Sequence, residues 1–413
     1  MRMVTAVARR TNQLSTGDAR PCLRDRWSVT CAIVPNVNAG GGTGRVLSGR
    51  STLAAMDSPP THRFTGSDGD GDATVPGPAQ RKQRGPRRPD LAAERAARVK
   101  VLHISGEGRS GSTLLGSLLG QQRGWFSAGE VRYLWQRGLI ERRLCGCGVP
   151  VPECPVWSEM LTTTFGNADG IDAREAVRAL HRLSQPSVIA RALQSGTSAT
   201  RSQLGALSDT LTDLYAGLRE VTGCEVIVDT SKPPTYGWLL STLPSVDLYT
   251  VHLVRDPRAV AFSWQRHKSA RDRPQGGDLA RKTPTASALH WTVWNLVAER
   301  LGRSRRDRYL RLRYEDLVAD PVLAVRRIVA LVGESASWSP PPGDDSAELG
   351  VNHAVAGNPS RFDRGRVSIE LDAEWSEHLA TRDRRIVALL SAPVRRRYGY
   401  HLRTGHHAGR ARV

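Results

Sequence analysis

A glycine-rich turn, GEGRSGST at residues 106–113, is the first feature of the sequence with recognisable chemistry. It lies between an apolar, β-branched run at 99–105, typical of a buried strand, and a run at 112–120 that predicts a helix. The backbone N–H groups of such a turn, together with the helix N-terminus, bind anions. The turn nearly matches the nucleotide-hydrolase pattern G-x-x-x-x-G-K-[ST], but Ser112 stands where that pattern has lysine. Ordinary ATP or GTP hydrolysis is therefore poorly supported, and a P-loop kinase-like protein stays open as an alternative.

Basic side chains follow two further predicted strands. Lys232 ends the segment VDTSK, and it is one of only five lysines in a chain with 59 basic residues. Arg255 follows the apolar run 248–254, and Ser263 lies two helical turns further on. A guanidinium and a hydroxyl at this spacing pair a charge-assisted contact with a hydrogen bond. Such a pair is suited to contact an anion.

The remaining periodicity predicts the elements that position these side chains. Apolar residues at 3-4-3-4-3 spacing between 201 and 223 (Leu204, Leu207, Leu211, Leu214, Leu218 and Val221) predict one amphipathic helix. Strands are predicted at 225–229, 248–254 and 309–314, and helices at 289–301, 321–333 and 375–390. Because strands alternate with helices, we expect an α/β fold: a P-loop-like parallel sheet flanked by helices, with ligands at the carboxyl ends of the strands.

Composition divides the 413 residues into one domain with two basic ends. Of the formal net charge of +19, +8 belongs to residues 1–98, and residues 394–413 hold six arginines and no acidic residue. Residues 1–98 are rich in Gly, Pro, Ser and Asp and show no sustained period, so we predict a disordered tail there. We therefore expect a single folded domain at 99–395 and an Arg-rich tail at 396–413. A nucleic-acid binder acting through these tails is an open but less favoured alternative.

No run approaches the length of a transmembrane helix, and the N-terminus lacks the apolar core of a secretion signal. These observations favour a cytoplasmic protein, although a peripheral membrane contact stays open. Cys145, Cys147 and Cys154 form a C-x-C-x₆-C pattern, in which three thiols fall short of a zinc site unless a histidine or aspartate completes it. We interpret them as a structural loop and expect no metal. Cys224 opens a predicted strand, where we expect it to be buried.

Taken in order, the motifs RSGST, VDTSK, LVRDPRAVAFS and RYEDL resemble the sulfotransferase family. The resemblance covers roughly residues 99–395. GNPSRF at 357–362 and the three-cysteine pattern resemble its bacterial branch, and there is similarity to tyrosylprotein and carbohydrate sulfotransferases. The family uses 3′-phosphoadenosine 5′-phosphosulfate as donor. The resemblance therefore implies that this donor is the co-substrate, and that it transfers a sulfuryl group to an acceptor hydroxyl.

The resemblance also implies roles for individual residues. The donor's phosphosulfate is assigned to Arg109, Ser110, Gly111, Ser112 and Thr113, and its 3′-phosphate to Arg255 and Ser263. Tyr314, Asn358 and Arg361, in the later motifs, are assigned to donor binding as well.

For the chemical step, Lys232 is expected to stabilise the negative charge that develops on the leaving oxygen, and Arg109 is expected to stabilise the charge of the phosphosulfate. Glu130, in AGE at 128–130, matches the catalytic base of the tyrosylprotein sulfotransferases. The alternative is that Glu130 has only a structural role, as a carboxylate in the first turn of a helix. His353 is the second candidate for the base. The acceptor, whether a glycolipid, a carbohydrate, a metabolite or a tyrosine, is left open by the sequence, and so is the oligomeric state.

Overall fold

The computed structural model of the protein describes residues 98–167, 171–194, 205–273, 275–338 and 346–401. The predicted disordered tail lies outside these residues except for Arg98, and so do Leu204 and the part of the predicted C-terminal tail after residue 401. In the described part of the chain, no helix is long and apolar enough to cross a membrane.

A five-stranded, fully parallel sheet organises the described residues. The sequence predicted a parallel sheet flanked by helices and four of its five strands. The strand order is β2-β3-β1-β4-β5. The strands are β1 (Val99–Gly106), β2 (Trp125–Gly129), β3 (Val226–Lys232), β4 (Val246–Val254) and β5 (Tyr309–Arg313). A separate antiparallel pair consists of β6 (Ser346–Leu349) and β7 (Gly365–Ser368). The β-branched and apolar runs of the central strands suit a sheet that is covered on both faces.

Helices connect and cover the strands. In chain order they are α1 (Ser112–Leu119), α2 (Pro155–Phe165), α3 (Ala173–Arg182), α4 (Pro186–Gln194), α5 (Gly205–Thr222), α6 (Pro234–Leu240), α7 (Pro257–Gln265), α8 (Pro284–Gly302), α9 (Tyr314–Ala319), α10 (Pro321–Val332), α11 (Trp375–His378), α12 (Thr381–Leu390) and α13 (Ala392–Arg397). Short 3₁₀ turns and one π-helix, Leu134–Ile140, lie between them.

The core has one layer on each face of the sheet because strand side chains alternate. Val101 and Ile227 pack with helices α2, α3 and α5, whereas Leu102 and Val228 pack with α1 and α10. The helix predicted from the leucine spacing at 201–223 is confirmed as α5, and its stripe faces the first layer. Cys224 is buried, as predicted.

The strand register brings the predicted chemical residues to one edge. Ser105 of β1 pairs with Lys232 of β3, and Gly106 pairs with Leu253 of β4. The glycine-rich turn and Arg255 follow β1 and β4, and Lys232 is the last residue of β3, so all three lie where neighbouring strands end side by side.

The structure differs from the sequence prediction in the last helix and in the end of the domain. The single helix predicted at 375–390 is divided into α11 and α12, because residues 379 and 380 are extended and Leu379 is buried. Past residue 395, Tyr398 and Tyr400 are buried against Val254 and Trp291, so the packed chain extends beyond the predicted boundary.

Helix α8 is confirmed, but only part of the apolar spacing that predicted it, at Leu289, Val293, Leu296, Val297 and Leu301, faces the core. Leu289, Val293 and Leu296 are exposed, whereas Val297 is buried together with Trp291 and Trp294. The two tryptophans carry more apolar surface than the aliphatic residues, so they take the face towards the core.

Candidate active site

The glycine-rich turn after β1 is built as an anion cradle. Gly111 is the N-cap of α1, with a φ of 89° in the left-handed region. A Cβ atom at this position would lie 2.4 Å from the Tyr314 ring, so only glycine allows this approach. Ser110 is 1% exposed, and its buried hydroxyl has no hydrogen-bond partner among the described residues. A buried hydroxyl without a partner is costly unless a ligand accepts its hydrogen bond. Ser112 is buried in the first turn of α1.

Two of the predicted site residues have strained backbones. Among the described non-glycine residues, only Arg109, Arg142 and Lys232 have a positive φ, of 67°, 46° and 71°. Such conformations cost free energy and cluster at functional sites. The turn at Lys232 is held by the buried Asp229, whose Oδ1 accepts a 2.8 Å hydrogen bond from the Ser231 N–H. Burial raises the pKa of Asp229 to about 6.

A buried carboxylate that the sequence analysis missed anchors the glycine-rich turn. Glu107 accepts hydrogen bonds from Lys282 Nζ at 3.0 Å and from Trp264 Nε1 at 3.2 Å, and it also contacts His290. Burial alone would raise the pKa of Glu107, but Lys282 and His290 outweigh it and hold that pKa below its usual value. Glu107 therefore ties the turn to the segment between α7 and α8.

Arg109 extends from this turn over the face of Trp264, with 4.7 Å between the guanidinium carbon and the ring centroid. Burial lowers the pKa of Arg109, while Glu130 opposes that shift and Arg137 adds to it. Arg109 and Glu130 are therefore close enough to interact electrostatically.

Arg255 lies directly beside the same turn. Its Nη1 donates a hydrogen bond of 3.3 Å to the Arg109 carbonyl, and its guanidinium lies 4.5 Å from the centroid of the Tyr314 ring. Its Nη2 forms an ion pair of 3.1 Å with Asp372, a residue the sequence analysis did not identify. Ser263 is buried on α7, the helix that follows Arg255. The predicted second anion site thus holds a carboxylate of the protein itself.

Lys232 and Glu130 form an ion pair at the ends of β3 and β2. Their side chains are 16% and 11% exposed, so the pair is largely shielded from solvent. Burial would raise the pKa of Glu130, but Lys232, Arg137 and Arg132 together lower it below its ordinary value. Glu130 is therefore ionised at neutral pH. The predicted base and the predicted leaving-group cation are in direct contact.

Lys268, in the loop after α7, adds a further positive charge. Burial and the nearby Arg109, Arg266 and Arg255 lower the pKa of Lys268. Nothing in its sequence context distinguished it beyond the rarity of lysine in this chain. It lies within electrostatic reach of both predicted anion sites.

The late motif contacts the glycine-rich turn through its backbone. The Asn358 N–H donates a hydrogen bond of 3.2 Å to Thr113 Oγ1. Arg361 is 1% exposed, and its Nη atoms donate to the carbonyls of Gly357 and Leu144 and to Asp272. The structure therefore places Asn358 beside the turn, whereas Arg361 joins three segments of the protein to one another.

His353, the second candidate for the base, lies against Cys154 and Trp157. Its Nδ1 lies 3.1 Å from Cys154 Sγ, and its carbonyl accepts a hydrogen bond from Trp157 Nε1. The structure places this candidate base among the cysteines.

Three comparisons bear on this arrangement. A model of the sulfotransferase family matches residues 102–340. Carbohydrate sulfotransferase 5 of Mus musculus is 31% identical over 102 residues, which span 22% of this chain and 26% of that protein.

Solved structures with a similar chain course include two sulfotransferase domains. The domain from the Synechococcus PCC 7002 olefin synthase is 22% identical, with a TM-score of 0.41, over 74% of this chain and 96% of that one. The domain from the curacin biosynthetic pathway is 18% identical, with a TM-score of 0.39, over 71% of this chain and 98% of that one.

Proposed function

The chain belongs to the sulfotransferase family, and from that premise we propose that it transfers a sulfuryl group from 3′-phosphoadenosine 5′-phosphosulfate to an acceptor hydroxyl. In this reaction the acceptor oxygen bonds to sulfur while the bond between sulfur and the bridging oxygen of the donor breaks. Adenosine 3′,5′-bisphosphate leaves, and the hydroxyl proton passes to a base of the protein. Such transfers depend on positioning and charge stabilisation more than on covalent help from the enzyme.

The observation that carries the proposal is the pairing of two anion-suited sites at one sheet edge. The first is the glycine-rich turn with the Ser110 hydroxyl, which has no hydrogen-bond partner in the part of the chain that the structure describes. The second is Arg255, whose guanidinium lies 3.3 Å from the carbonyl of Arg109 in that turn. A donor with anionic groups at its 5′ and 3′ positions uses both sites, whereas AMP uses one. Asp372, now paired with Arg255, is 30% exposed, and we propose that the 3′-phosphate displaces it.

Lys232 and Glu130 supply the chemical step in this proposal. Lys232 stabilises the negative charge that develops on the bridging oxygen as the nucleotide leaves. Glu130 accepts the hydroxyl proton. While Lys232 holds Glu130, the lowered pKa makes this carboxylate a weak base. As the leaving oxygen draws Lys232 towards itself, the basicity of Glu130 rises at the moment the proton has to move.

A carbohydrate hydroxyl is the first acceptor class to test. Its support is the name of the mouse relative, which matches this chain over 102 residues. Metabolite and tyrosine hydroxyls belong in the same test, because all of them attack sulfur in the same way.

Transfer of radiolabelled sulfate from the donor to fractionated cell extracts tests this function. We expect a labelled product with the wild type and with Lys100→Ala, because Lys100 lies at the opposite end of β1, paired with Glu334. We expect Lys232→Ala to lose the product. No transfer to any fraction, together with Mg²⁺-dependent ATP hydrolysis by the wild type, would contradict the proposal and favour a P-loop kinase.

A further inference from the structure

Four potential metal ligands converge outside the sheet edge. The Sγ atoms of Cys145, Cys147 and Cys154 and a ring nitrogen of His353 all lie within 4.8 Å of one another. Cys145 and Cys154 are buried, and Cys147 and His353 are half-buried. We propose that these four residues bind a structural zinc ion. The sequence alone supplied three thiols, and His353, about 200 residues further along the chain, supplies the fourth ligand.

The separations suit a tetrahedral site. With Zn–S near 2.3 Å and Zn–N near 2.0 Å, tetrahedral ligands lie about 3.5–3.8 Å apart. No two of the four ligand atoms lie more than 4.8 Å apart, so each pair has to approach by at most about 1 Å to reach this geometry. Cys154 Sγ and His353 Nδ1, at 3.1 Å, need only separate slightly. Three thiolates and one imidazole are a ligand set that favours zinc over magnesium or calcium, which prefer oxygen.

Backbone hydrogen bonds shape the loop that carries the cysteines. The Cys145 N–H donates to the Val149 carbonyl at 2.7 Å, and the Gly148 N–H donates to the Cys145 carbonyl at 2.9 Å. This tight turn brings Cys145 and Cys147 together. Cys154 is the N-cap of α2, where the helix dipole favours a thiolate.

His353 is held against this turn by two contacts. Its carbonyl accepts a 2.7 Å hydrogen bond from Trp157 on α2. Its neighbour Asn352 approaches Gly146 so closely that a Cβ there would lie 2.0 Å from the Asn352 Oδ1. Glycine between the first two cysteines is therefore required for the histidine segment to approach.

Zinc is bound by thiolates, so binding of Zn²⁺ would release the protons of the three cysteine thiols. Four protein ligands leave no position for water, which is typical of structural rather than catalytic zinc.

The ion would fix the segment that borders the candidate active site. From His353 the chain runs directly to Val355, whose N–H donates to the Ala128 carbonyl at 3.0 Å. The Ala356 carbonyl then accepts from the Glu130 N–H at 3.3 Å, and Asn358 contacts Thr113. Zinc therefore joins the cysteine loop to a segment that supports Glu130 and the glycine-rich turn.

Metal content of the purified full chain, grown with zinc and measured by mass spectrometry, tests the proposal. We expect about one zinc per chain in the wild type. The same content is expected in two controls: Cys224→Ser, whose cysteine is buried outside the cluster, and the Cys22→Ser, Cys31→Ser double variant. We expect Cys145→Ser and Cys154→Ser to lose it. His353→Ala should bind zinc more weakly, while His353→Cys should retain it, because four thiolates also hold zinc.

A second measurement covers variants that fail to fold. Removal of zinc from the wild type with a chelator should lower its unfolding temperature by about 5 °C or more, and addition of zinc should restore it. A ligand present at 100 times its dissociation constant raises the unfolding temperature of a folded protein to about that extent. Cobalt added to the chelated wild type should give the visible bands of a tetrahedral thiolate complex.

Three results would overturn the proposal. The first is a wild type without zinc that binds neither zinc nor cobalt. The second is a Cys145→Ser variant that keeps full zinc. The third is a disulfide between two of the three thiols, seen as two fewer cysteines reacting with a thiol reagent in denaturant.

Discussion

Replacing Glu130 by glutamine removes the negative charge that Lys232 holds and leaves the shape of the side chain unchanged. The pair is only 11% and 16% exposed, and glutamine can still accept a hydrogen bond from Lys232. We therefore expect a stability loss of about 1.5–3 kcal/mol, the range for hydrogen bonds to charged groups. Folding and nucleotide binding should survive, with nucleotide affinity within a few-fold of the wild type.

Transfer itself should slow much more. Loss of a positioned base costs about 10²–10⁴-fold with an aliphatic hydroxyl, which gives up its proton reluctantly. An acidic phenol needs little assistance, so Glu130→Gln should recover part of its rate with such an acceptor. Lys232→Ala should be slow by a similar factor with both acceptors, because its leaving group does not change.

The contact between the two residues adds a quantitative test. Neighbouring residues that share an interaction show coupling energies of about 0.5–3 kcal/mol. We therefore expect the Glu130→Gln, Lys232→Ala double variant to be slower by less than the product of the two single effects.

The assay is transfer of radiolabelled sulfate to one aliphatic and one phenolic acceptor, run in parallel with the wild type and with Glu225→Gln. Glu225 is an exposed carboxylate at the opposite end of β3, so its variant is a matched control. The reasoning is refuted if Glu130→Gln transfers to the aliphatic hydroxyl at the wild-type rate. Glu130 would then be a structural partner of Lys232.

Three further predictions concern the protein around this pair. Burial lowers the pKa of His103 to about 3. Between pH 7 and pH 5, His103 therefore gains a proton in the unfolded chain but not in the folded chain. The free energy of unfolding should fall by about 2 kcal/mol over this range. In His103→Gln this part of the pH dependence should vanish, whereas the exposed His181→Gln should keep it; denaturant unfolding at both pH values measures the difference. Glu107→Gln should weaken nucleotide binding and lower the melting temperature, because Lys282 loses the negative charge it pairs with and an amide nitrogen replaces the oxygen that faces His290. Calorimetry showing unchanged affinity would contradict this. A chain that begins at Ala97 should fold and bind nucleotide like the full chain, and a loss of cooperative melting would refute the predicted boundary.

The sequence predicted the main sheet because its strands are apolar and followed by helices at short distances. It also located the glycine-rich turn, Lys232 and Arg255 at strand ends, and the parallel register places these ends side by side. The edge strand β2 was missed, since five residues carry too little periodicity to be separated from a loop.

Other features depend on contacts that local patterns do not encode. Glu107 is an ordinary member of the turn in sequence, and only the fold brings Lys282 and His290 to it. Asp372 meets Arg255 across more than 100 residues. His353 was considered as a base because it neighbours the late motif, yet the structure places its ring beside Cys154. In each case a long-range partner, invisible to spacing, decides what the side chain does.

The most direct test of the account is calorimetric binding of adenosine 3′,5′-bisphosphate and of AMP to the wild type, Arg255→Ala and Arg311→Ala. Arg311 is an exposed arginine on β5 and serves as the control. The account predicts that the wild type and Arg311→Ala bind the bisphosphate far more tightly than AMP. In Arg255→Ala this preference should shrink by about 2–4 kcal/mol, the cost of truncating one partner of a desolvated charge pair. Equal affinity of the wild type for the two nucleotides would contradict the assignment of the second anion site.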